Sequence, residues 1–408
     1  MWQQTYRYVI VGGGLAGASA VEGIREYDRE SSILMIGSEQ WLPYDRPPLT
    51  KKLWTGKKAV NDVFRHESEF YLRNGADFGM GEKVVKLDPG SKTVETDRGH
   101  RHNYEKLLLA TGGVPRRLDI PGGNLWGIYY YRYLEHYLRL RKDAQEGMSA
   151  VVIGGGFIGS ELAASLSEEK VSVTMIFPEP YLVQRIFPEG LGRAMQDMYS
   201  QRGIQVLSGD IPVSIDQAGG KYVTMTKNGR RIESDIMVVG AGILPDVTLA
   251  EMAGLRVDNG IVVDEFCRSS DPDIYAAGDN ANFPHLTFNE HLRIEHWDNA
   301  LNQGRNAGAN MAGANMKYDY MPYFWSDLFE FGYEAVGDIR SKLDTFEDWE
   351  TENETGVIYY LRDGRVRGVM TCNIYGRMDE ARELIRSGRQ FALDDLRGRI
   401  RSEQRKAA

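Results

Sequence analysis

The sequence predicts an α/β protein with two nucleotide-binding units, one inserted in the other, and a smaller α+β piece at its C-terminal end. Three observations predict it. The turn Gly12-Gly13-Gly14-Leu15-Ala16-Gly17 follows an apolar run, and Gly154-Gly155-Gly156-Phe157-Ile158-Gly159 repeats that arrangement. From about residue 323 the composition changes to aromatic strands and a charged tail.

The elements follow in order. Residues 6–11 read as a β-strand, and 18–27 as a helix of small residues. Strand, glycine turn and helix make the first βα unit of a Rossmann fold, with Gly12, Gly14 and Gly17 in the GxGxxG slots. The first glycine permits the tight turn, the second lets a pyrophosphate approach the backbone, and the third lets helix and strand pack closely. Free N–H groups and the helix dipole then favour negative charge. The strand at 32–36 leads to Glu39, the acid for a ribose diol. The second copy has a strand at Ser149–Ile153, a helix at 160–168 and a strand at 171–177. Glu179 beyond it would hold ribose hydroxyls and repel a 2′-phosphate, which favours NADH over NADPH. Two dinucleotide sites in one chain mean a flavoprotein that also binds a nicotinamide cofactor: FAD and NAD.

Later segments fit the plan. Residues 106–112 and 236–242 are buried-strand runs ending in glycine, and 270–279 closes on Gly278-Asp279, where the acid would take a ribityl hydroxyl. Residues 1–122 and 245–322 form the FAD domain, 123–244 the inserted NADH domain, and 323–408 the C-terminal domain. In the last, Arg362-Asp363-Gly364-Arg365 joins strands 357–361 and 366–371 as a hairpin. Residues 341–354 read as an exposed acidic loop, and a helical tail begins at Met378. Residues 295–310 read as a helix whose start could stabilise a reduced anionic flavin. Tyr129-Tyr130-Tyr131 reads as a packed strand. Arg116-Arg117 and the tail's Arg397, Arg399, Arg401, Arg405 and Lys406 read as solvated faces.

Composition narrows the function. Among 408 residues, 49 Lys and Arg face 58 Asp and Glu, a net −9 that argues against a nucleic-acid binder. No uncharged stretch exceeds 14 residues, the length of the glycine-rich run 8–21, short of the roughly 18 a membrane span needs. No secretory signal opens the chain, so the expected location is cytoplasmic. Cys267 and Cys372, the only cysteines, form no CxxC pair, which disfavours disulfide, zinc and thiol-relay chemistry. No metal is expected.

Pro43-Tyr-Asp-Arg-Pro-Pro-Leu-Thr-Lys51 resembles the corresponding segment of ferredoxin-reductase-type flavoproteins. Gly154 to Glu161, Phe177-Pro-Glu179, Phe324-Trp-Ser-Asp327, Gly332 to Gly337, Gly356 to Asp363 and Asn373 to Met378 resemble the apoptosis-inducing-factor branch. The resemblance implies FAD contacts at Gly12 to Ala16, Glu39, Arg46, Lys51, Val84, Arg132, Asp279, His296 and Trp297, with Trp325 by the flavin ring. It implies NADH contacts at Gly155, Gly156, Phe157, Ile158, Glu161, Glu179, Arg185, Gly242, Glu295, Glu334 and Asn373. It makes Lys51 and Glu161 a catalytic pair in which the carboxylate aims the ammonium at the flavin.

Departures bear on that likeness. Ser38 stands where relatives carry an acid, Trp297 replaces a histidine of the mammalian proteins, and the long loop before the last hairpin shrinks to 341–354. A tryptophan-bearing insertion after Lys51 is missing and no mitochondrial leader is expected, as in a bacterial-style core enzyme.

The expected function is an FAD-dependent NADH oxidoreductase that passes hydride to flavin N5. Electrons then go, without a cysteine relay, to a ferredoxin-type carrier, a quinone or oxygen. Two alternatives stand beside it: a ferredoxin or rubredoxin reductase component, and a redox-responsive protein that forms a stable charge-transfer complex and a homodimer on reduction.

Overall fold

The computed structural model describes residues 3–401 and divides into two compact units. Of the described residues, one holds 3–45, 59–114 and 244–322, the other 46–58, 115–243 and 323–401. Residues 46–58, within the segment assigned to the FAD domain from sequence, thus make their contacts in the second unit. Tail residues Arg405 and Lys406 lie outside the described residues.

The first unit is organised by a seven-stranded sheet in the order Ala76–Met80, Ile33–Gly37, Gln3–Val11, Arg101–Leu109, Thr93–Thr96, Val84–Asp88. Ile274–Ala276 pairs in parallel with the end of Arg101–Leu109. The parallel strands are near-continuous apolar runs, as strands covered on both faces must be, and Val9, Ile10, Ile33, Met35, Leu107 and Leu108 are fully buried. Helix Leu15–Tyr27 extends the predicted 18–27 run back to the glycine turn.

Against it packs the helix Trp297–Met311, at almost backbone contact. A Cβ at Gly304 would stand 2.3 Å from the Ala16 carbonyl oxygen, one at Gly308 2.2 Å from that of Ala20, and one at Gly23 2.0 Å from that of Arg305. Only glycine fits these positions.

The second unit carries a parallel sheet ordered Gln205–Ser208, Ser172–Phe177, Ser149–Ile153, Ile236–Val239, Tyr129–Tyr130. The second glycine-turn helix, Phe157–Glu168, follows its central strand. The expected packed strand at the tyrosine triplet is there, with all three rings buried. The unit also holds a five-stranded antiparallel sheet, in the order Tyr323–Leu328, Phe331–Gly337, Arg365–Cys372, Thr355–Arg362, Asp344–Thr351. The hairpin forms at Asp363-Gly364, both with positive φ (53° and 70°), as a tight two-residue turn requires.

The acidic loop expected at 341–354 is instead an edge strand, Asp344–Thr351. Phe346 and Asp348 face inward: Phe346 stacks on Tyr359, and Asp348 accepts the Gly398 N–H at 2.6 Å. The remaining acids stand on an edge, where charge deters pairing with another chain. The tail is correspondingly more than a solvated face, because Leu396 and Ile400 are buried and the Arg397 guanidinium lies over Phe346.

Gly308→Ala should lower the unfolding free energy by about 1–3 kcal/mol, the ordinary cost of overpacking. The effect will read as a lower denaturant midpoint at unchanged m-value.

Candidate functional site

The two glycine turns have the same local geometry in separate units. Gly12 (φ 130°) and Gly154 (φ 119°) make the sharp exit from the strand, and a Cβ on either would strike the backbone of Ala110 or Gly240. Gly14 and Gly156, the N-caps of their helices, face open space, with nothing within 4 Å of a built Cβ and no side chain capping the helix. Helix ends of 13 and 12 residues thus present unsatisfied N–H groups to a space that a side chain would fill. Those are the requirements of a dinucleotide pyrophosphate, so the chain's residues fit FAD and NAD.

In the first unit, Glu39 is half-buried, and the Tyr44 hydroxyl donates to its Oε2 at 2.5 Å. Val84 is buried in the sheet core. Asp279 follows Gly278, whose N–H donates to the Gln303 side chain at 2.8 Å. The Trp297 indole N–H donates to Asp45 at 2.6 Å, with the Arg65 guanidinium over its ring. His296 N-caps the helix Trp297–Met311. Burial holds its imidazole pKa down to about 4 and outweighs the opposing pull of Asp279. Glu295 is exposed and paired with Arg293 at 2.5 Å.

The second unit brings Lys51 and Glu161 together. Lys51 Nζ lies 3.1 Å from Glu161 Oε1, and both side chains are largely out of solvent. Two hydroxyls complete the carboxylate's shell: Thr50 donates to Oε2 and Ser326 to Oε1, each at 2.5 Å. Segment 46–58 is anchored by its carbonyls, with Leu49 accepting from Tyr131 (2.6 Å) and Trp54 (2.8 Å), and Thr50 accepting from Ser165 (2.8 Å). Arg46 donates to the Arg132 carbonyl at 2.9 Å.

The remaining expected residues take varied positions. Trp325 stacks on Tyr323 at 5.5 Å. Phe157 meets Phe324 edge-on at 5.4 Å. Glu179 is half-buried beyond the strand Ser172–Phe177, Arg185 is exposed, and Gly242 (φ 91°) accepts the Arg116 N–H at 2.9 Å. Glu334 accepts the Gly376 N–H at 2.9 Å, and Asn373 spends its amide on Gly332 N–H and the Glu354 carbonyl. Thr50, Ser326 and Tyr44 are absent from the sequence-derived site, although all three sit inside matched segments, Thr50 one residue from Lys51 and Ser326 one residue from Trp325.

The family pattern described as "Pyridine nucleotide-disulphide oxidoreductase" matches residues 6–304. The chain belongs to that family. A second pattern, "Apoptosis-inducing factor, mitochondrion-associated, C-term", matches residues 307–355. This oxidoreductase is 35% identical to apoptosis-inducing factor 1, mitochondrial, of Dictyostelium discoideum, over 96% of this chain and 80% of that one. It is 33% identical to the anthranilate 1,2-dioxygenase system ferredoxin–NAD(+) reductase component of Burkholderia cepacia, over 93% of this chain and 94% of the other. Its fold is similar to the reductase of a covalent putidaredoxin reductase–putidaredoxin complex, with TM-score 0.89 and 29% identity over 96% and 95% of the two chains. It is an α/β FAD- and NAD-dependent oxidoreductase of the apoptosis-inducing-factor branch. The disulphide chemistry in the family's name has no cysteine pair to run on, because Cys267 and Cys372 are both free and buried.

Among the described residues no helix is long and apolar enough to cross a membrane, and no group of three His, Cys, Asp or Glu could hold a metal ion.

Two outcomes follow. Lys51→Met strands Glu161 as an uncompensated buried charge and should cost about 3–5 kcal/mol of stability, whereas Lys51→Met with Glu161→Gln should cost less. Below pH 6.5 the unfolded chain protonates His296 while the folded chain does not. Stability should therefore fall as pH drops from 6.5 to about 4, and His296→Gln should flatten that part of the curve.

Proposed function

We propose that NADH binds at the second glycine turn and FAD at the first, and that electrons leave for an external carrier without a thiol relay. The buried Lys51–Glu161 pair carries the reading. FAD, if bound at the first turn, would supply the hydride-accepting and electron-releasing chemistry. The chain supplies position and charge. Helix N-termini at Gly14 and Gly156 hold the pyrophosphates. Glu39, with one oxygen tied to Tyr44, takes the ribose of FAD, and Glu179 takes that of NADH. Lys51 brings a positive charge that favours electron density arriving on the cofactor, and Glu161 fixes where that charge stands.

The other expected contacts keep their assignments in this reading: Gly13, Leu15, Ala16, Arg46, Val84, Arg132, Asp279, His296, Trp297 and Trp325 for FAD, and Gly155, Phe157, Ile158, Arg185, Gly242, Glu295, Glu334 and Asn373 for NADH. The domain limits remain those read from the sequence.

A ferredoxin-type protein is the acceptor we favour, supported by the ferredoxin reductase from B. cepacia and by the putidaredoxin complex. Reduction-driven homodimerisation is the second reading, supported by the apoptosis-inducing-factor match at 307–355. A cytoplasmic location completes the proposal.

Anaerobic mixing of the FAD-loaded protein with NADH tests it. Rapid bleaching of flavin absorbance, reversed by an added ferredoxin, is the expected result, and unchanged absorbance would overturn it. Slow bleaching with a lasting long-wavelength band and a doubled mass in sedimentation would favour the second reading. Glu179→Arg should shift the ratio of kcat/KM for NADH over NADPH toward NADPH by roughly tenfold or more, as an arginine accommodates the 2′-phosphate.

A further inference from the structure

We propose that Ser326, on the first strand of the C-terminal sheet, is a positioning residue for the Lys51–Glu161 pair, with Thr50 as its counterpart on the other carboxylate oxygen. The inference rests on the function proposed above and gives the C-terminal sheet a part in it.

The terminal torsion of a glutamate is broad and roughly two-fold, so a carboxylate held by one cation can swing. Glu161 is held on both sides. Oε1 accepts from Ser326 Oγ at 2.5 Å and faces Lys51 Nζ at 3.1 Å, while Oε2 accepts from Thr50 Oγ1 at 2.5 Å. Rotation would break both hydroxyl bonds, so the oxygen facing Lys51 stays in place.

Each hydroxyl is itself fixed. Glu161 and Ser165 stand four residues apart on one helix face, and both grip Thr50, Glu161 through its hydroxyl and Ser165 through its carbonyl. Ser326 lies opposite Tyr333 in the antiparallel pair Tyr323–Leu328 and Phe331–Gly337. At 2% exposure its hydroxyl must be bonded, and Glu161 is its acceptor. Among the described residues, Lys51, the two hydroxyls, and the phenols of Tyr199 and Tyr333 interact with the carboxylate. Burial and the Glu161 charge raise both phenol pKa values well above the ordinary value, so neither adds a competing charge.

A cycle of Ser326→Ala, Glu161→Gln and the double variant, with Ser326→Thr as the hydroxyl-retaining control, tests the proposal in two readouts. In anaerobic single turnover with NADH, Ser326→Ala should lose roughly tenfold in the reduction rate constant, about 1.4 kcal/mol, at an unchanged half-saturating NADH concentration. It should lose nothing further in the Glu161→Gln background, and Ser326→Thr should recover most of the rate. In denaturant unfolding of the oxidised protein without NADH, the Ser326→Ala and Glu161→Gln losses should combine to less than their sum. An unchanged Ser326→Ala rate, or rate losses that multiply, would overturn the proposal. If NADH reduces none of the proteins, the functional reading fails by itself, and additive unfolding losses would then overturn the Ser326 clamp as well.

Discussion

A charge taken out of water must be matched, and the carboxylate of Glu161 is matched by three donors from two distant parts of the chain. Lys51 and Thr50 come from the short 46–58 segment, and Ser326 comes from the C-terminal sheet. The requirement explains why these segments belong to one compact unit with the second nucleotide-binding sheet. It also explains the anchoring of 46–58 through its carbonyls at Leu49 and Thr50, because Lys51 is only as well placed as the backbone that bears it.

The local chemistry of the two glycine turns was fully legible. Strand, GxGxxG and helix are consecutive in sequence; the first and third glycines of each turn answer a steric demand set within a few residues or by the neighbouring strand, and the second keeps the helix start open. The strand Ser149–Ile153 coincides with its prediction, and both helices start only a few residues earlier than expected. The Lys51–Glu161 pairing was legible through resemblance alone, since nothing in either residue's surroundings in the sequence points to the other.

Long-range constraints were not legible. The stretch 344–351 carries enough acids to read as a solvated loop, yet alternation places Phe346 and Asp348 inward, and the tail supplies Gly398 N–H and Arg397 to meet them. The partners of Asp348 lie about fifty residues away, beyond any pattern in a local window. The same limit hides Ser326: its neighbour Trp325 stands out as an aromatic residue in a matched segment, whereas a serine in a strand carries no signal until its acceptor is known. Gly304 and Gly308 likewise read as ordinary helix residues until Ala16 and Ala20 stand against them.

In the proposed reading, electron transfer without a cysteine pair rests on the charge of Lys51, held beside Glu161. The most direct test is the anaerobic single-turnover reduction of FAD-loaded Lys51→Met by saturating NADH, set beside the unaltered protein. The account predicts a slower reduction at the same half-saturating NADH concentration. Equal reduction rates would contradict it.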